Sequence, residues 1–270
     1  MKAALLVLAA CATQHAHRAQ IGPLPMYYED YGAGRPIVLL HGGGSTAQTS
    51  FGALIPSLAR HHRVIAPEQQ AHGHTPDIDR PLTFAQEADD TAALLERLGV
   101  HDADVIAFSN GTVVAMELAI RHPQLVHELV LCSPFYARGG LPAAMWAGMD
   151  HATMTNLPPT LRAAFEAAQP DPAMRQRMFD RQVSLMRSFE DIPEAALQAI
   201  TAPALVLVGE HDVMPVDHAA SLAHLLRGQL VVFPGAGHGT YLGSVDAGGG
   251  DATAALLAIE HFLDQSPSPS

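Results

Sequence analysis

Six stretches of the chain, 36–40, 63–67, 104–108, 128–132, 204–208 and 230–233, are continuously apolar but for the leading Arg63, Asp104 and Glu128, and are bounded by glycine, proline or polar residues. Runs without alternating polar positions predict strands buried on both faces, as in a parallel sheet covered by helices. Between them, apolar residues recurring every three or four positions predict helices over 49–60, 83–98, 110–122, 216–226 and 251–264. Strand and helix alternate, so the pattern is α/β, with a doubly wound, mostly parallel sheet. Right-handed crossovers then put the strand C-termini, and with them the ligand site, along one edge.

One interval breaks the rhythm. From residue 135 to 201 no strand pattern occurs, only helical segments at 142–154, 159–168, 171–189 and 193–199. Such an insertion is too long for an ordinary crossover and reads as a helical cap over the strand ends, residues 137–199, on a core formed by 21–136 and 200–264. Its Met145, Trp146, Met149, Met154, Leu157, Phe165, Met174, Met178, Phe179, Met186 and Phe189 offer apolar surface both for packing and for lining a pocket. The Ser/Pro-rich tail 265–270 reads as disordered. At the other end, Lys2, the small or apolar run 3–10 and Cys11 look like a short secretory signal, with Leu8-Ala9-Ala10-Cys11 similar to a lipoprotein cleavage box. Residues 1–20 are therefore expected to be a signal or lipid-anchor segment, or else disordered, a frayed extension or a frayed strand. An exported or anchored protein and a cytoplasmic one both stay open.

Composition narrows the partners. Fifteen Lys and Arg against 27 Asp and Glu give a net charge of −12, which argues against nucleic acid or an anionic membrane surface. No stretch approaches the ~18 apolar residues of a spanning helix. Two cysteines, Cys11 and Cys132, exclude a disulfide scaffold and a four-thiolate zinc site. The histidine-rich spots (His15/His17, His61-His62, His72/His74) lack acidic or thiol partners at ligand spacing. They read as loop or surface histidines, and neither metal nor cofactor is expected.

The chemistry gathers at the strand ends. Ser109 lies between the strand 104–108 and the helix 110–122, in Ala107-Phe108-Ser109-Asn110-Gly111. Small residues two before and two after the serine suit a sharp strand-to-helix turn, where larger side chains would strike adjoining backbone. Here the chain resembles the α/β-hydrolase superfamily, in its serine-nucleophile, esterase- or lactonase-like branch with a helical cap; Ala107 replaces the first glycine of that family's Gly-x-Ser-x-Gly elbow. In the family, serine, acid and histidine follow in that order, each just after a strand. Gly209-Glu210-His211-Asp212 follows the strand 204–208, and Pro234-Gly235-Ala236-Gly237-His238-Gly239 follows 230–233. The resemblance thus implies Ser109 as nucleophile, His238 as base and Asp212 as acid, with Glu210 the rival acid and His211 a bystander. The acid position of some relatives, after the preceding strand, reads Cys132-Ser133-Pro134 and holds no carboxylate.

A fourth element is His41-Gly42-Gly43-Gly44-Ser45, directly after the strand 36–40. A tetrahedral intermediate needs preorganised N–H donors for its oxyanion, and glycines let backbone approach closely. By resemblance the donors are the amides of Gly43 and Asn110, with Gly44 as the alternative to Gly43. His41 is expected to brace the loop, and residues 68–75, ending His72-Gly73-His74-Thr75, to be scaffold. Trp146, Met145, Met149, Gly44 and Phe108 are the expected substrate-binding residues.

A serine nucleophile argues against the aspartate-dependent epoxide hydrolases and haloalkane dehalogenases of this fold. The expectation is a carboxylesterase-like hydrolase of small to medium, mainly neutral esters, working on a small molecule through an acyl-enzyme. The alternatives are a lactonase, enol-lactonase or C–C bond hydrolase, and, further off, a non-catalytic ligand-binding relative. An anionic substrate would need a basic clamp; only Arg138 and the cap arginines Arg162, Arg175, Arg177, Arg181 and Arg187 could supply it, and they suit a solvated helix face equally well.

Overall fold

The apolar runs form the centre of one eight-stranded sheet. The computed structural model describes residues 15–155, 157 and 159–265, so the expected signal or lipidation box ending at Cys11, and the tail beyond residue 265, lie outside the described residues. The strands are β1 (His15–Ile21), β2 (Leu24–Gly32), β3 (Arg35–Leu40), β4 (His62–Pro67), β5 (Ala103–Phe108), β6 (Val126–Cys132), β7 (Ala204–Gly209) and β8 (Gln229–Phe233). Their spatial order is β1-β2-β4-β3-β5-β6-β7-β8. The pairings of β1 with β2 and of β2 with β4 are antiparallel, and all others are parallel. Every residue of β5 and β7 is buried, as expected of strands covered on both sides.

Two findings differ from the sequence reading. His15–Gln20 belongs to β1, paired with β2 from His15↔Asp30 to Ile21↔Leu24, so for this stretch the strand alternative holds and a leader or disordered segment reaching residue 20 does not. β1 is an edge strand whose first four residues are exposed, and its histidine-rich face carries no apolar periodicity to betray it. The single helix expected over 49–60 is two short ones, α1 (Ala47–Phe51) and α2 (Ile55–Leu58). Gly52 ends the first, and the proline in the first turn of α2 cannot continue a helix begun upstream.

Layers close on both faces. Against one pack α3 (Phe84–Arg97), α4 (Asn110–Arg121) and α9 (Val216–Leu225); against the other lie α1, α2 and α10 (Thr253–Leu263). Between β6 and β7 come only helices among the described residues: α5 (Ala143–Met149), α6 (Pro159–Ala168), α7 (Pro172–Arg187) and α8 (Glu194–Gln198). Asp171 caps α7, accepting from the Met174 amide at 2.9 Å, with Pro172 in the first turn where its missing N–H costs nothing. The insertion starts and ends together, since the Ile192 amide donates to Tyr136 O at 2.8 Å. Phe165, Ala168, Met178, Phe179 and Val183 form a small apolar core of its own. Met186 and Phe189 instead join the main core. Gln169 donates to Gly73 O at 2.5 Å and Arg181 pairs with Asp77 at 2.9 Å, which fastens the insertion to the loop after β4.

Candidate active site

Ser109 ends β5 and caps α4 with φ 53° and ψ −121°, a backbone conformation rare outside glycine. Its amide donates to Cys132 O at 2.9 Å, which fixes the turn against β6. Gly111 is obligatory here: a Cβ would lie against Leu40 O and His41 O, well inside van der Waals contact. Ala107 is fully buried in β5, where the sheet absorbs its methyl.

Across the strand ends, Asp212 Oδ1 accepts from His238 Nδ1 at 2.9 Å. The Asp212 side chain is fully buried, while His238 keeps about a third of its surface exposed (33%). Burial pushes the Asp212 carboxyl up, but hydrogen bonds from His238, Ser133 and the Met214 amide outweigh it, and the net direction is down. Glu210 turns outward and accepts from the Gly235 amide at 2.8 Å, so the acid beside the histidine is Asp212. The His238 ring rests on Phe108, centroids 4.8 Å apart. Among the described residues no hydrogen bond joins Ser109 Oγ to His238; both line one cavity of about 570 Å³. Nucleophile and base often close up only when substrate arrives.

The glycine loop sorts itself by geometry. The Gly44 amide donates to His72 Nε2 at 3.2 Å and is committed there, whereas Gly43 faces the cavity beside Asn110. A Cβ on Gly43 would strike the side-chain amides of Gln182 (2.5 Å) and Asn110 (2.7 Å). His41 lies wholly inside, its Nε2 accepting from the Gln69 amide (3.0 Å) and its Nδ1 donating to Gly42 O (2.8 Å). Burial first, and the neighbouring His72 second, hold it down to about 3, so it is a neutral brace and no base. In the loop after β4, Glu68 takes the His74 amide (2.5 Å) and Thr75 Oγ1 donates to Glu68 O (2.8 Å), an internal scaffold as expected.

Apolar side chains make the remaining walls, including Met145, Met149, Phe165, Phe179 and Met186. Three expected substrate contacts need correction. Trp146 is turned away, stacked on Phe189 with centroids 5.8 Å apart, covered by the Arg138 guanidinium at 4.1 Å and donating to Arg138 O at 2.7 Å. Phe108 is buried beneath His238, and Gly44 is closed off by Phe165. No arginine or lysine lines the cavity among the described residues. Arg138, Arg162, Arg175, Arg181 and Arg187 are engaged by carboxylates or backbone carbonyls, those of the lining residues Leu157 and Met149 among them, and Arg177 lines a separate groove beside Asp77.

Sequence reasoning passed over several residues. Ser133 (φ 51°) donates to Asp212 Oδ2 at 2.5 Å and lies 2.8 Å from the Tyr241 hydroxyl. Val213 and Met214, directly after the acid, line the cavity, and Gln182 reaches it from α7. Proximity in sequence could have flagged the first two; nothing flags Gln182 or Tyr241, which arrive through the fold. At the far end of the sheet Asp104, His127 and Glu128 cluster closely enough for a cation. The Arg35 guanidinium already lies 3.1 Å from Asp104 and competes for that charge.

Residues 37–247 match the alpha/beta hydrolase family model, and with this sheet and strand-end site the chain belongs to that family. Among curated relatives, it is 30% identical over 247 residues to a 2-hydroxymuconate semialdehyde hydrolase of Pseudomonas sp. (strain CF600), covering 79% of this chain and 83% of that one. Among solved structures, an esterase from Thermogutta terrifontis superposes with TM-score 0.73 at 23% identity, covering 94% of this chain and 99% of the other. A 2-hydroxy-6-oxo-6-phenylhexa-2,4-dienoate hydrolase from Rhodococcus sp. strain RHA1 gives TM-score 0.74 at 23% identity, with 93% and 99% covered. Curated relatives and fold neighbours thus include hydrolases named for a semialdehyde and for dienoates as well as an esterase, and the chain is an alpha/beta hydrolase enzyme.

Proposed function

We propose that the protein hydrolyses carboxylic esters of small to medium, neutral substrates through an acyl-enzyme. The observation that carries this reading is the His238–Asp212 pair at 2.9 Å opening, with Ser109, onto an apolar cavity free of cationic side chains among the described residues. Ser109 Oγ attacks the carbonyl carbon while His238 Nε2 takes its proton; Asp212 keeps Nδ1 protonated and stabilises the imidazolium. The amides of Gly43 and Asn110 receive the oxyanion. The imidazolium then returns the proton to the departing alcohol, and a water activated by His238 releases the acid.

A second reading, C–C bond hydrolysis, draws on the relative at 30% identity named as a semialdehyde hydrolase. A dienoate carries a carboxylate, however, and burying it unpaired in such a cavity would be costly. The test is labelling by a fluorophosphonate with mapping by mass spectrometry, beside kcat/KM for p-nitrophenyl esters, lactones and dienoates in wild type and Ser109→Ala. Label on Ser109 with ester turnover is the expected result. Folded protein that stays unlabelled, or is labelled elsewhere, sinks the mechanism.

A further inference from the structure

Besides His238, Asp212 has one other side-chain partner, on a strand end that carries no carboxylate of its own. Ser133 closes β6, its amide donating to Leu207 O at 2.7 Å and its hydroxyl to Asp212 Oδ2 at 2.5 Å. The other oxygen, Oδ1, receives His238 at 2.9 Å and the Met214 amide at 3.2 Å. An O···O contact needs a proton between its atoms. The Ser133 proton goes to the carboxylate, which can only accept, so the single proton of the Tyr241 hydroxyl is shared between the Ser133 oxygen at 2.8 Å and Leu207 O at 3.1 Å. Ser133 is wholly buried. Its φ of 51° would suit glycine better; a serine there accepts backbone strain while supplying a hydroxyl.

We propose that Ser133 is a positioning residue: backed by Tyr241, its hydroxyl fixes the rotation of the Asp212 carboxylate and so presents Oδ1 to His238. This rests on Asp212 acting as the acid of the triad. Without the Ser133 donor Oδ2 keeps only the long 3.5 Å contact with the Gly209 amide, so the carboxylate turns more freely, and its negative charge, no longer shared with a hydroxyl, pulls harder on the imidazolium proton. The titratable groups facing this pair are His238, Tyr241 and the Cys132 thiol, and burial keeps the last two neutral.

Ser133→Gly tests the hydroxyl without disturbing the backbone, since glycine is at ease at this φ; Ser133→Ala and Tyr241→Phe accompany it. For Ser133→Gly and Ser133→Ala we expect kcat to fall about tenfold with KM nearly unchanged. The acidic limb of the kcat/KM profile should move up by roughly half a pH unit. Tyr241→Phe should move both in the same direction by less. A Ser133→Gly enzyme with wild-type kcat and profile overturns the proposal. So does a fall in kcat with no movement of the limb, which would mark a purely structural role, or a Tyr241→Phe enzyme identical to wild type. Fluorophosphonate labelling of wild type at Ser109 separates the two levels: without it the triad itself falls, and with it a silent Ser133→Gly removes only this inference.

Discussion

At the scale of single residues the proposed acid is one of two carboxylates that stand two positions apart and face opposite ways. Asp212 turns inward to His238; Glu210 turns out to the Gly235 amide. Asp212→Asn keeps the side-chain shape but reverses a partner, offering an N–H where an acceptor is needed, and the imidazole is then held in the wrong tautomer. We expect kcat to fall by about 10⁴ with the fold intact. Glu210→Gln, touching only an exposed turn, should change kcat by less than about threefold. Steady-state kinetics on a single activated ester checks both, and the reverse ranking would move the acid to Glu210. The same logic separates Met149 from Trp146. Met149 lines the cavity, whereas Trp146 stacks on Phe189 outside it. Met149→Ala should flatten the preference for longer acyl chains, each lost methylene contact being worth about 0.8 kcal/mol or less. Trp146→Ala should chiefly lower stability, seen as a drop in Tm with an unchanged chain-length profile.

At the scale of elements, legibility followed burial. β5 and β7, buried throughout, stand out as unbroken apolar runs just before Ser109 and Asp212; β8, an edge strand of which only Phe233 is buried, still shows the short apolar run that precedes His238. β1 was illegible because an edge strand with four exposed residues carries no core face. In the insertion between β6 and β7 the pattern shows the helices but not their rotation, so sequence alone neither turns Trp146 away from the cavity nor brings Gln182 into it. α3 adds something no pattern announces. Glu87 is fully enclosed on its inner face, where burial first and the charge of Asp90 second push its carboxyl up to about 8 despite Arg80. The folded protein therefore keeps a proton that the unfolded chain releases near 4.5. Stability from this group is complete below that lower value and is lost as pH rises towards 8, by at most about 1.4 kcal/mol per pH unit. Asp212, held down, acts with the opposite sign and costs stability only in acid. Glu87→Gln, which mimics the neutral acid, should thus gain on wild type progressively between pH 5 and 8. Urea midpoints measured across that range check it; parallel curves for the two proteins would mean that Glu87 is ionised in the fold.

At the scale of the whole molecule, a net charge of −12 surrounds a cavity that offers no compensating cation among the described residues. Two separable effects then oppose an anionic substrate. Long-range repulsion slows its approach, and salt screens this part, since the Debye length is about 10 Å at 0.1 M. Desolvation of the carboxylate against Met145, Met149 and Phe179 is a contact effect that salt hardly touches. A neutral ester should accordingly show kcat/KM nearly independent of ionic strength. A matched ester bearing a carboxylate on its acyl chain should be at least about tenfold poorer at low salt, recover part of the gap at 0.5 M, and never close it. The residual gap is the informative quantity, because surface charge cannot produce it and an uncharged pocket must. If the anionic substrate instead outruns the neutral one at low salt, and loses its lead as salt is added, a cation reaches the bound substrate. Arg138 or a cap arginine would then have to swing in, and C–C bond hydrolysis of a dienoate would replace ester hydrolysis as the better reading.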